Sequence, residues 1–155
     1  MSAQPTLTRL FAMLVFAAMA VYVATSFQAL QEGARVSGSA NAVAGTMGAL
    51  SGWLVAGPRI DGRWVQSVFA MVQGVIVATL LTLAAGATVE TFRLGYQTRH
   101  RDLDDAMQGF FHYIAEEAPK LATPEISIPL GLFCLVGGVV LAVLCRAMEA
   151  RRTAR

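Results

Sequence analysis

The sequence predicts an all-α membrane protein, with four transmembrane helices plus one amphipathic outer helix. Three observations lead there. The 155 residues are 55% apolar and only 14% charged, where an average soluble domain carries about a quarter charged residues. The charges avoid four long windows, Leu10–Leu30, Val36–Ala56, Trp64–Val89 and Ile126–Cys145. A bilayer core about 30 Å thick needs roughly 20 apolar residues in helical form, and each window has that length. Between the third and fourth windows, apolar residues from Leu103 onward recur at helical spacing on one face. The chain therefore reads as a single membrane domain, 1–155, with spans at 10–30, 36–56, 64–89 and 126–145 and an outer helix at 103–118. This composition excludes a soluble enzyme, a nucleic-acid binder and a large extramembrane domain.

The first window has the look of a secretory signal. Arg9 precedes the apolar Leu10–Ala24, and small residues follow at Ala24, Thr25 and Ser26. A signal's apolar region is only 7–15 residues long, whereas this one runs on to Leu30. A retained helix is expected.

The second window carries Asn41, Gly45, Gly48 and Gly52 along one face, with Gly48 and Gly52 as a GxxxG pair. Lipid tails give no hydrophobic drive between helices, so small residues that let backbones approach supply the contact. Gly45, Gly48 and Gly52 are thus the expected packing residues. They fit a compact bundle, and also a homo-oligomer or a contact with another membrane protein.

No Asp, Glu, Lys, Arg or His stands in the middle of any window. Intramembrane ionisable groups mark proton relays and ion paths, so a proton-driven exporter is disfavoured. The polar residues Asn41, Thr46, Ser51, Gln73, Thr79 and Thr82 read as interhelical hydrogen-bonding groups. Gln73, beside Gly74, is the deepest and the first candidate for a polar path.

The fourth window has Gly131 and Gly138 on one face, and both cysteines, Cys134 and Cys145. Eleven residues along a helix separate the cysteines by roughly 16 Å, while disulfide Cα atoms lie under about 7 Å apart. They cannot bridge each other within one helix.

In the outer segment, Leu103, Ala106, Met107, Phe110, Phe111, Tyr113, Ile114 and Ala118 cover an arc of about 160°. Asp104, Asp105, Gln108, His112 and Glu116 take the opposite face. Asp102 suits the N-cap, Asp104 and Asp105 suit the first turn, and Pro119 is expected to end the helix. The polar face is acidic, which favours packing on the bundle's outer end over binding anionic lipid. His100 and His112 fall about 120° apart on a helix, and no metal-ligand spacing occurs. No nucleophile–base pairing or phosphate loop is present either, so no catalytic residue, metal or cofactor is assigned and the chain reads as a non-enzyme.

With four spans, the termini share a side with the loop 57–63. That side holds Arg9, Arg59, Arg63, Arg146, Arg151, Arg152 and Arg155 against Asp61 and Glu149. The other side spreads five cations and eight acids over longer segments. The positive-inside rule puts both termini in the cytoplasm and the outer helix on the far side.

The second window closes on Gly52-Trp53-Leu54-Val55-Ala56-Gly57-Pro58-Arg59, followed by Gly62. Trp53 suits the membrane interface, Gly57-Pro58 breaks the helix, and Arg59 meets the aqueous surface. The pattern G-W-x-V-x-G-P-R-x-x-G resembles the TrgA family of small bacterial membrane proteins linked to tellurite resistance. The resemblance extends to the order of the spans, and to Thr91-Phe92-Arg93-Leu94 leading through Arg99-His100-Arg101 into Asp102. It implies a multi-pass protein of the bacterial inner membrane, its periplasmic side carrying the outer helix, with a role in tolerance of tellurite. Gly52, Trp53, Gly57, Pro58, Arg59 and Gly62 are the residues that carry it. It supplies no catalytic residue and no cofactor. Two other readings stay open: a structural or assembly helper of another membrane complex, and a small anion transporter or channel. The second would be expected to offer Arg or Lys along its path.

Overall fold

The computed structural model describes residues 6–30, 37–60, 62–96 and 103–153. Among these residues there is no strand. Five α-helices run in order: α1 (Thr6–Leu30), α2 (Gly38–Ser51), α3 (Trp64–Tyr96), α4 (Leu103–Leu121) and α5 (Pro124–Thr153). Between α2 and α3 lie a π-helical turn, Gly52–Ala56, and a 3-10 turn, Gly57–Arg59. Three helical stretches, Leu7–Leu30, Trp64–Gly95 and Pro124–Met148, are long and apolar enough to cross a membrane. The protein is membrane-embedded.

The expected second span departs from a uniform helix. Its α-helical part is 14 residues, about 21 Å at 1.5 Å per residue, and it gives way at Gly52. Pro58 accounts for the change. In a continuous α-helix its ring would strike the Leu54 carbonyl, and its missing N–H would leave that carbonyl unpaired. Widening the turn relieves the clash. Gly57 N–H donates to the Gly52 carbonyl, five residues back, and Ile60 N–H donates to the Ala56 carbonyl at 3.1 Å.

α1 and α2 lie antiparallel, with Gly45 at Val21, Gly48 at Ala20 and Phe16, and Gly52 at Ala12. α3 and α5 are also antiparallel, with Val68 at Gly138 and Met71 at Gly137. Phe16 of α1 meets Phe133 of α5 edge-to-face at 5.4 Å. The buried core is Ala12, Phe16, Ala56, Ile60, Ala70, Met71, Cys134, Leu141 and Cys145, concentrated toward the end of the bundle that carries Arg9, Arg59 and Arg146.

α3 is longer than the apolar window that announced it. Its 33 residues reach about 50 Å, because no proline interrupts the stretch from Glu90 to Tyr96 and Glu90 pairs with Arg93 one turn on, at 3.6 Å. α4 folds back along this extension, its Tyr113 ring lying over Gly86. Phe110, Tyr113 and Ile114 are partly buried, while Met107 and Phe111 stay exposed. α4 also runs past Pro119 to Leu121. A proline disturbs the bond to the carbonyl four residues before it and leaves the following residues free to finish the turn. Ala122 and Thr123 then close it, donating to the carbonyls of Pro119 and Lys120.

Candidate functional site

The segment singled out by its sequence pattern is the turn from Gly52 to Gly62, and each of its glycines sits at a close approach. A Cβ on Gly52 would stand 2.6 Å from the Ala12 carbonyl oxygen and 2.9 Å from the Phe16 Cβ. On Gly57 it would stand 3.1 Å from Cα and Cγ of Arg9. On Gly62 it would meet Cγ of Arg146 at 3.2 Å. The turn is therefore pressed between the start of α1 and the end of α5. One turn earlier, a Cβ on Gly48 would stand 2.6 Å from the Ala20 methyl and 2.7 Å from the Phe16 carbonyl oxygen, and one on Gly45 would stand 3.0 Å from Val21.

Around this backbone the side chains divide by chemistry. Ile60 and Ala56 are buried, Trp53 and Pro58 are half-buried, and Arg59 and Arg63 are exposed. Arg146 Nε donates to the Gly62 carbonyl at 2.6 Å, and its guanidinium lies 5.8 Å over the Trp64 ring. Arg9 Nε is buried without a hydrogen-bond partner, as is Thr8 Oγ1 beside it. Arginines from α1, the turn and α5 thus meet at one end of the bundle. Asp61 lies outside the described residues, but even with its charge counted the four arginines dominate. The geometry provides a rigid, positively charged rim on an apolar core.

Ser51 ties this region to α3. Its buried hydroxyl donates to the Gly74 carbonyl at 2.6 Å, and Gly74 in turn leaves room for the Phe16 ring. At the opposite end of α2 the polar groups form a clasp. Gln28 Nε2 donates to Asn41 Oδ1 at 2.7 Å, and Ser37 N–H donates to Gln28 Oε1 at 2.5 Å. Thr46 and Thr82 bond instead to carbonyls of their own helices.

Gln73 corrects an expectation. It is exposed on the outer surface of α3, so it lines no path through the bundle. The neighbour relation to Gly74 was misleading, because adjacent helical residues point about 100° apart and the glycine is the one turned inward. Gly131 likewise has open space around it, while Gly138 is packed on Val68.

Outside the spans, Tyr113 has its phenol pushed above its ordinary value, first by burial and then by Glu117 and Glu90, with Lys120 acting the other way. His112 stands 3.2 Å from Glu116. Among the described residues no three His, Cys, Asp or Glu side chains group as metal ligands; His100 and Asp102, like Arg99 and Arg101, lie outside those residues. Ser51 and Tyr113 fall where the sequence put them, in an interhelical hydrogen bond and on the packing face of α4, whereas the bond from Arg146 to Gly62 was not anticipated. Arg146 and Gly62 are 84 residues apart, and no local pattern links them. The Pro58 that forces the π turn was the one available signal.

The fold and this turn define a helical membrane-embedded protein with a basic, glycine-seated turn at one end. No family model, curated protein or solved structure matches the chain.

Proposed function

We propose that this chain is a non-enzymatic, four-span protein of the bacterial inner membrane, of the TrgA type, which contributes to tolerance of tellurite through partners. The observation that carries this reading is that Gly52, Gly57, Pro58 and Gly62 act as one structural unit. The glycines seat the turn against α1 and α5, and the proline sets its π geometry. A simple helix stop would not need every one of these contacts. α2 and the two turns after it have 14, 5 and 3 residues, a helical path of 22 residues that suits a second crossing. The arginines gathered at Arg9, Arg59, Arg63 and Arg146 support a cytoplasmic position for that end.

Deletion of the coding sequence, scored for growth on tellurite, tests the reading. Growth should fall and should return with the wild-type chain, but not with a Gly52→Leu variant. Normal growth of the deletion strain would refute it. Tellurite flux into proteoliposomes at wild-type dependence would favour the anion-transporter reading instead.

A further inference from the structure

Gln73 poses a physical problem that the monomer does not solve. It is exposed on α3 and has no hydrogen-bond partner among the described residues. It lies nine residues beyond Trp64, about 14 Å along the helix, too deep for its side chain to reach the interface by bending outward. In hydrocarbon a primary amide with two donors and an acceptor unpaired is costly.

The residues around it form a face. Val65, Phe69, Val72, Ile76 and Leu80 are all exposed, and with Gln73 they span an arc of about 100° at 100° per residue. Their spacing of three and four residues is that of a helix-pairing seam. The face ends where Ala87 is buried and Tyr113 of α4 lies over Gly86. The small-residue stripes that commonly pair membrane helices are already used inside the chain, Gly45, Gly48 and Gly52 by α1 and Gly138 by α3.

We infer that this face is a homodimer interface, in which α3 packs on α3 of a second copy and the two Gln73 amides hydrogen-bond across a two-fold axis. A second copy fits better than another occupant because an amide is self-complementary. Each carries both the N–H donor and the carbonyl acceptor that the other lacks. Two copies inserted in the same orientation bring the two residues to the same depth. The inference requires only that the protein is membrane-embedded, and it stands or falls independently of any tellurite role.

The test is the association of the full chain in detergent micelles and in vesicles, followed by sedimentation and by energy transfer between labelled copies. The wild type should dimerise. Gln73→Leu should weaken dimerisation by about three- to thirtyfold, the range for interhelical hydrogen bonds in membranes, and Gln73→Asn should retain most of it. Gln73→Cys should cross-link between copies under mild oxidation, whereas Leu135→Cys, exposed on α5, should not. Circular dichroism checks that each variant is folded, which an outward-facing position should allow. A monomeric wild type, dimerisation unchanged in Gln73→Leu, or equal cross-linking at Leu135 would each overturn the inference.

Discussion

Replacing Gly48 by alanine adds one methyl group at the tightest contact between α1 and α2. That methyl would sit 2.6 Å from the Ala20 Cβ and 2.7 Å from the Phe16 carbonyl oxygen, where carbon atoms prefer about 3.5–4.0 Å. The helices must separate by about 1 Å, and neither obstacle is the end of a flexible side chain. Overpacking of this kind costs about 1–3 kcal/mol. Alanine also favours a helix over glycine by up to about 1 kcal/mol, so the net loss should be about 0–2 kcal/mol. Gly131→Ala is the matched control, since nothing lies within 4 Å of its added methyl. It gains the same propensity without the clash. The difference between the two variants, about 1–3 kcal/mol, is therefore the cost of the contact alone. Thermal or denaturant unfolding in one detergent measures it. Gly86 would be a poor control, because the Tyr113 hydroxyl stands 3.0 Å from its Cβ position. Equal stability of Gly48→Ala and Gly131→Ala would show that α1 and α2 are not held by close backbone approach.

Ser51→Ala removes the buried bond to the Gly74 carbonyl and should cost about 0.5–1.5 kcal/mol in the same unfolding assay, with Thr46→Ala, whose hydroxyl serves its own helix, close to neutral. Cysteine labelling of intact cells should modify Asp104→Cys and spare Asp61→Cys, which should react only after permeabilisation; the reverse pattern would invert the proposed topology. Cys145→Ser should leave any tellurite phenotype in place, because Cys145 is buried in the core and a buried thiol is poorly reactive. Loss of the phenotype with normal protein levels would make Cys145 a functional thiol.

Much of the architecture could be read from periodicity and charge. The apolar windows locate α1, α3 and α5, since a run of uncharged residues has few alternatives to a membrane helix. The face from Ala106 to Ile114 likewise anticipates how α4 meets the bundle through Phe110 and Tyr113 rather than through Asp104. Three features could not be read in this way. Where α3 ends depends on α4 covering it, because Glu90 and Arg93 look like a span boundary and serve as an ion pair within a helix. Which side of α3 faces outward depends on where α2, α4 and α5 pack on it, and Gln73 falls on the side they leave open. The turn at Gly52 depends on the conflict between Pro58 and the Leu54 carbonyl, which apolar periodicity does not register. For the candidate site, the glycines were visible as small residues, but Arg9 and Arg146 join it only through the path of the chain.

The π turn has a consequence for which residues lie inside. From Gly48, an undisturbed α-helix returns to the same side at residue 52, then at 55 and 59, which would drive the arginine at 59 into the apolar interior. The wide turn accommodates one additional residue, so the helical phase slips by one position. Ile60 fills the interior place at 1% exposure, and Arg59 emerges at the surface. The turn thus works as a phase shifter, exchanging a charge for a hydrocarbon where the chain passes from α2 toward α3. Removing a single residue between Gly52 and Ala56 would let the turn close as a regular α-helix and still leave Ile60 inside, since the deletion cancels the extra residue that the wide turn takes up.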